Sequence, residues 1–169
     1  MPNVGCMGSP FDSLIRQHRA LEARLERLAS GEAPEASRDA AELLALLRRH
    51  SRLEERCLSP LLARVAGRER CREQLEAHLT LRELMDELEV LPPGRPEWQA
   101  RLLTLEDRVV AHFQEVENAL LPQLMTALDS LALDDLRRDL SATRMELFAR
   151  PQVSHGAPAP LQDSRFWDG

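Results

Sequence analysis

Apolar residues recur at spacings of three and four along almost the whole chain, and this pattern restricts the fold to packed amphipathic helices. Glycine and proline interrupt the pattern at a few places, and no segment alternates as a strand does. The pattern predicts five helices, at about 11–30, 35–65, 68–90, 96–129 and 132–149. Four long helices with short connections indicate an all-α, antiparallel up-down four-helix bundle, which a short fifth C-terminal helix follows.

The length of 169 residues suits one domain with short ends. We expect a flexible N-terminus over 1–10, the helical bundle over 11–150 and a flexible tail over 151–169, where Pro, Gly, Ser and Ala dominate. The net charge of -6 disfavours a nucleic-acid partner, and no apolar run is long enough to suggest a membrane partner. Because we find neither a signal-peptide pattern nor a CxxC pair among the 3 cysteines, the expected location is cytoplasmic.

The two halves of the chain repeat one histidine pattern. His18 begins a run of leucines in the first half, and His78 begins a matching run 60 residues later. His50 and His112, which are 62 residues apart, are each followed ten residues later by a proline inside a predicted helix. We therefore expect two similar helical hairpins with one histidine on each helix, and a kink at each of these prolines.

The four histidines are predicted to lie at one level of the bundle. In an antiparallel hairpin, residues at one level are equidistant from the turn, and the midpoints between successive histidines fall in or near predicted turns. A single inward histidine is usually a core residue with a hydrogen-bond acceptor nearby, but four in one apolar layer would be costly without a shared partner. We therefore predict a metal site, since imidazole and carboxylate ligands suit iron, manganese or zinc.

Carboxylates stand one helical turn from two of these histidines. Glu54 follows His50 by four residues, about 40° round the helix, so both side chains can reach one centre and Glu54 could bridge two metals. Glu22 follows His18 at the same spacing, but it shares a charged face with Arg19 and is expected to be solvated. Glu54 is therefore the first predicted carboxylate ligand.

These features resemble the hemerythrin-like (HHE cation-binding) domain family over residues 11–129. The resemblance is carried by His18, by His50-Ser51-Arg52-Leu53-Glu54-Glu55 through Pro60, by His78, and by His112-Phe113-Gln114-Glu115-Val116-Glu117-Asn118 through Pro122. It implies a non-haem diiron centre, with two iron ions, terminal histidine ligands and two bridging carboxylates. The metal ligands that it implies here are His18, His50, Glu54, His78, His112 and Glu117.

The second carboxylate is the first departure from the family pattern, because Val116 stands four residues after His112. Plain helix geometry places Glu115 nearer to the histidine than Glu117, at about 60° against about 140°. Members that resemble oxygen carriers, however, use the acid five residues after the histidine. We expect Glu117 to be the ligand and keep Glu115 as the alternative.

The second departure is a missing histidine. Oxygen carriers of the family have a histidine pair on the third helix, whereas the positions that flank His78 at this spacing are Gln74 and Arg82. This leaves one iron with an open or water-filled position, or with Gln74 or Glu73 as a weak ligand, and the second metal is expected to be labile. Reversible oxygen carriage is therefore disfavoured.

The resemblance implies chemistry with a small ligand. We expect the chain to bind or react with oxygen, nitric oxide or peroxide for sensing or stress response. The alternative is an iron-handling protein of the ferroxidase type, and the ligand layer disfavours a purely structural bundle with a degenerate site. The oligomeric state is left open.

Two further features are weighed in the same way. Cys57 and Cys71 are symmetric about a predicted turn and are expected to be small buried side chains, with a disulfide that forms when the iron reacts as the alternative. Residues 160–169 carry aromatic side chains after the flexible segment, and they could dock on a protein partner or a shell if they are not simply an unstructured end.

Overall fold

The computed structural model describes residues 8–31 and 36–149, and every regular element within these ranges is helical. The α-helices are α1 Asp12–Ala29, α2 Ala36–Cys57, α3 Ser59–Val65, α4 Arg68–Val90, α5 Pro96–Glu115, α6 Leu121–Ala127 and α7 Ser130–Ala149, with a π-helical turn at Val116–Leu120. The prediction of an all-α fold is confirmed for this part of the chain. The predicted tail at 151–169, its docking residues 160–169 and most of the predicted N-terminal segment lie outside the described residues.

Glycine and proline mark several helix ends. Gly31 and Gly67 follow α1 and α3 with φ values of 76° and 91°, a left-handed conformation that residues with a side chain rarely adopt. Pro96 is the first residue of α5, where its missing N–H costs no helical hydrogen bond. The connections from α3 to α5 are therefore short, and consecutive helices in this part of the chain pack against each other.

Two helices that the sequence predicts as continuous are broken near their prolines. The helix predicted over 35–65 ends at Cys57 and resumes as α3, in which Pro60 is the second residue. The helix predicted over 96–129 is interrupted by the π turn directly before α6, in which Pro122 is the second residue. A proline lacks the N–H that a continuous α-helix would use, so each break lies where the chain cannot complete its hydrogen bonding.

Helices α1, α2, α4 and α5 contribute to a shared interior. Helix α1 contacts α2 and α5, helix α4 contacts α2, α3 and α5, and helix α7 lies against α2. Helix α7 corresponds to the fifth helix predicted at about 132–149, begins two residues earlier at Ser130, and buries Leu136 and Leu140. No helix in the described ranges has the length and apolar character that crossing a membrane requires.

The buried apolar side chains form two clusters. In α1, Leu14 belongs to one cluster and Leu21 to the other, with His18 between them. In α2, Leu47 and Leu53 are divided in the same way by a histidine. The polar layer therefore lies where the two apolar clusters meet.

Candidate metal centre

Four helices each direct one histidine into the interior. His18 lies on α1, His50 on α2, His78 on α4 and His112 on α5. All four are buried, and the residual exposure of 7% at His112 is the largest among them. Each occupies a position on the inner face of its helix, in line with the apolar residues before and after it.

A single carboxylate lies among the four imidazoles. Oε1 of Glu54 is 3.3 Å from Nε2 of His18 and 3.3 Å from Nε2 of His50. Oε2 of Glu54 is 2.9 Å from Nε2 of both His78 and His112. The predicted layer therefore contains two groups of potential metal ligands, one on each oxygen of Glu54, and every member of both groups is buried.

The outer ring nitrogens of three histidines are held by polar side chains. The Nδ1–H of His18 donates to Oε1 of Glu117 over 2.7 Å, and that of His78 donates to Oε1 of Glu55 over 3.1 Å. Gln17 accepts in the same way from His50 over 3.2 Å. With the proton held on Nδ1, the Nε2 lone pair of a neutral ring is directed at the centre, as metal-binding histidines require.

The two glutamates that contact histidine Nδ1 atoms each pair with an arginine as well. Arg19 pairs with Glu117, and Arg82 donates to Glu55 over 2.6 Å. Both carboxylates are therefore fixed between a buried imidazole and a guanidinium. Hydrogen bonding to His78 in particular lowers the pKa of Glu55.

The electrostatics of the centre favour positive charge on or between the rings. Burial by itself would raise the pKa of Glu54, but the imidazoles of His50, His112 and His18 outweigh it and hold that pKa well below its usual range. Burial also lowers the pKa of His50, whereas at His78 the hydrogen bonds that its ring donates to Glu54 and Glu55 outweigh burial and raise the pKa to about 9. Glu54 thus stays an anion, and its neighbours supply the balancing charge as protons or as a bound cation.

The residues present fit a metal ion. Nε2 of His50 lies near Glu54 but has no hydrogen-bond partner among the described residues, which is costly for a buried nitrogen. Nε2 of His78 also faces Nε2 of His112 at 3.0 Å, so that two lone pairs oppose each other unless a proton or cation intervenes. Nitrogen and carboxylate donors of this kind suit iron, manganese or zinc.

The structure separates the two candidates for the second carboxylate. Glu117 lies in the π turn, contacts His18 and has a side chain that is 13% exposed. Glu115 is 50% exposed and pairs with Arg70, and no contact joins it to a histidine among the described residues. The angular estimate that placed Glu115 nearer assumed an unbroken α-helix, whereas the wider turn begins at the next residue.

The remaining candidate residues from the sequence are Glu22, the two cysteines and Gln74. Glu22 pairs with Arg19 on the surface, as expected for a solvated face. Cys57 and Cys71 are free thiols, and burial raises the pKa of Cys57. Gln74 is buried, and neither polar atom of its side chain has a hydrogen-bond partner in the described part of the chain.

Sequence reasoning missed several groups that shape the centre. Phe113 stacks on the His18 ring with centroids 3.9 Å apart and planes 7° apart, and it also meets His50 edge-on. Gln17 and Glu55 each adjoin a predicted ligand in the sequence, and that adjacency was the available signal. Their contacts cross between helices, so the spacing within one helix could not reveal them.

The buried histidines and Glu54, with these contacts, place the chain in the class of helical metal-binding proteins. The family model described as the hemerythrin HHE cation-binding domain matches residues 9–124. The chain belongs to this family. No curated protein and no solved structure gave a match.

Proposed function

We propose that this chain holds two iron ions at the histidine layer, with Glu54 between them. The observation that carries the proposal is that the two oxygens of Glu54 face separate pairs of imidazole nitrogens, at 3.3 Å on one side and 2.9 Å on the other. Iron bound there would supply ligand positions for small molecules and a change of oxidation state. The cation-binding family to which the chain belongs supports the same conclusion.

The proposed ligands are the six residues that the sequence indicates, namely His18, His50, Glu54, His78, His112 and Glu117. Glu117 lies in the π turn and contacts the outer nitrogen of His18 rather than the Nε2 atoms. We also propose that α1, α2, α4 and α5 form an antiparallel up-down bundle. The division of the apolar core on the two sides of His18 and His50 supports this arrangement.

The proposed role is to bind or react with oxygen, nitric oxide or peroxide in sensing or stress response. Apolar side chains lie around the imidazoles. Phe113 stacks on His18, and the buried residues Leu21, Leu81 and Val116 each follow a histidine by one helical turn. Such walls keep water away from the centre and leave the histidine and carboxylate donors in fixed positions. A small uncharged ligand tolerates such surroundings better than a large polar substrate does.

The test is the metal content of the purified protein, followed by its absorption spectrum in air and after addition of azide or nitric oxide. We expect two iron ions per chain and a spectrum that changes with the added ligand. His50→Ala and His112→Ala should each lose metal, whereas Glu97→Ala, an exposed carboxylate in the first turn of α5, should keep both ions. Two ions at full occupancy in either histidine variant would contradict the ligand assignment.

A specific surface favours the second candidate, an iron-handling protein of the ferroxidase type. A cleft of about 530 Å³ beside Glu117 is also lined by Glu22, Glu26 and Glu106. Burial, Asp107 and Glu26 raise the pKa of Glu106, as is expected where carboxylates crowd together. Such a surface would attract Fe(II), so sustained oxidation of added Fe(II) over many equivalents would select this function, and a stop after two equivalents would reject it.

A further inference from the structure

A groove on the surface of the molecule lies between α1, α2 and the end of α7. It has a volume of about 170 Å³ and is lined by Gln17, Ala20, Leu21, Arg24, Leu46 and Phe148. Four of these six side chains are apolar, and no acidic residue of the described ranges is among them. The groove therefore offers an apolar surface together with one positive charge.

The described part of the chain ends beside this groove. Glu146 of α7 pairs with Arg56 near the end of α2. Two residues later in α7, Phe148 lies under the guanidinium of Arg49, which is earlier in α2, with 5.8 Å between Cζ and the ring centroid. Later residues of α7 thus meet earlier residues of α2, and α7 ends one residue after Phe148. The chain beyond α7 therefore starts at the groove itself.

Phe148 leaves apolar surface uncovered in the groove. Among the tryptophan and phenylalanine residues that the structure describes, Phe11, Trp98 and Phe113 are buried. Phe148 is only partly buried, although it lies beside other apolar side chains. An aromatic ring in this position gains stability when a further side chain covers it, because aromatic contacts bury a large apolar area.

The chain contains a segment that matches the groove. Residues 160–169 include Leu161, Phe166 and Trp167, with Asp163 and Asp168 against the single basic residue Arg165. The segment is thus apolar with a net negative charge, whereas Arg24 in the groove is exposed and has no ion-pair partner within the described ranges. Residues 150–159 can span about 30 Å. This distance exceeds the length of the groove along α1, which is about 10 Å from residue 17 to residue 24.

We propose that residues 160–169 dock in this groove of the same chain. Trp167 packs against Phe148, and Asp168 pairs with Arg24. Because the segment is tethered beside the groove, its effective concentration is about 1 mM, so a contact with a Kd of about 0.1 mM keeps it docked in a ratio of about ten to one.

The docked segment also protects one contact of the histidine layer. Gln17 lines the groove, and its side-chain oxygen accepts a hydrogen bond from Nδ1 of His50 over 3.2 Å. A segment in the groove covers Gln17 and keeps water from this hydrogen bond. The docking itself requires no metal, so it can be tested independently of the proposed function.

The experiment measures how strongly acrylamide quenches the fluorescence of Trp167 in the full-length protein. Trp98, the other tryptophan, is buried, and subtraction of the signal of Trp167→Phe isolates that of Trp167. The quenching constant should be about ten-fold lower than in the urea-unfolded protein, as the docking ratio requires. Ala20→Arg fills the groove and should remove this protection. Its matched control is Ala23→Arg, an exposed alanine on the same helix that does not line the groove, and it should keep the protection.

Charge reversal tests the ion pair. Arg24→Glu should raise the quenching constant about three-fold, and the addition of Asp168→Arg should restore it. Arg27→Glu, which changes an exposed arginine on the same helix outside the groove, is the control. An unchanged quenching constant in Arg24→Glu would overturn the pairing of Asp168 with Arg24.

Three outcomes would overturn the docking as a whole. The first is a wild-type quenching constant equal to that of the unfolded protein, which would leave the groove to another occupant. The second is an equal effect of Ala20→Arg and Ala23→Arg, which would place the segment elsewhere. The third is protection that depends on protein concentration, which would mean docking on a second copy of the chain. The metal content of the protein, which tests the proposed function, is measured separately from all three.

Discussion

The carboxylate of Glu54 is fully buried, and imidazole nitrogens lie against both of its oxygens. A buried anion must be balanced by a neighbouring cation, because transfer of an isolated charge from water into the interior costs many kcal/mol. Without metal, the balancing charge has to come from protons on the surrounding rings. His78 is well placed to hold such a proton, since Glu54 and Glu55 contact its two nitrogens and raise its pKa to about 9.

Stability of the metal-free protein should therefore depend on pH through His78. Its pKa is raised to about 9 in the folded state, against an ordinary value of about 6.5, so its contribution is complete below pH 6.5 and is lost as the pH rises through 9. The expected decline in the free energy of unfolding is up to about 3 kcal/mol between these pH values. Urea unfolding at pH 6.5 and pH 9.5 measures it. His78→Gln should lack this decline, and an equal decline in that variant would contradict the assignment.

The two candidate carboxylates can be distinguished by single substitutions. Glu117→Ala removes the carboxylate that accepts from Nδ1 of His18. If Glu117 is a ligand, the variant should lose one metal ion. If Glu117 only orients His18, metal affinity should fall about 10- to 100-fold, as is typical of groups that orient a ligand. Glu115→Ala removes a half-exposed carboxylate that pairs with Arg70 and should keep both ions. Metal content after exhaustive desalting is the measurement. A larger loss in Glu115→Ala than in Glu117→Ala would contradict the choice.

At the scale of single helices, the π turn at Val116–Leu120 decides where Glu117 lies. The N–H of Leu121 donates to the carbonyl of Val116, five residues back, and Pro122 follows with no N–H to offer. The turn between His112 and Pro122 is thus one residue wider than an α-helical turn. Such insertions are frequent at functional sites, because they redirect a side chain without ending the helix.

Pro122→Ala should therefore alter the centre, whereas Pro60→Ala should not. With an N–H at position 122 the turn can close to an α-helix, which would change the direction of Glu117 relative to His112 and weaken metal binding. Pro60 is the second residue of α3, which carries none of the proposed ligands, so its replacement should leave metal affinity unchanged. Competition with a chelator measures the affinities. Equal effects of the two substitutions would show that the π turn does not position Glu117.

The helices and the histidine layer could be predicted from the sequence because both follow from the spacing of residues along a regular α-helix. The inward direction of His18 and His50 follows from the leucines in line with them, and the structure has both rings at Glu54. The choice between Glu115 and Glu117 could not be predicted in this way, since it depends on a local departure from the α-helical period. Contacts such as that of Gln17 with His50 join different helices and are set by packing.

At the scale of the whole molecule, the polar layer separates two apolar clusters that contain most of the buried side chains. The unpaired Nε2 of His50 in this layer is a cost to the metal-free fold, which a bound cation would remove. The layer is formed by four helices, so an ion there would connect segments that are far apart in the sequence. Binding of metal should therefore stabilise the fold as a unit.

Thermal unfolding with and without metal tests this expectation. At a free metal concentration 100 times the Kd, the gain in the free energy of unfolding is about 2.7 kcal/mol for one site, and it appears as a higher Tm. A chelator should reverse the gain. Glu54→Ala should show little metal-dependent shift, and a full shift in that variant would mean that the stabilising ion binds elsewhere.

The position of Glu54 between two pairs of rings would also govern the order in which the proposed ions arrive. An ion on one oxygen would immobilise the carboxylate and draw away part of its negative charge, so the second ion would meet a different carboxylate from the one that the first ion met. The two occupancies are then thermodynamically coupled, and each changes the affinity of the other by the same factor. A metal titration of this protein would accordingly give two unequal steps, and neither step would report the intrinsic affinity of one half alone.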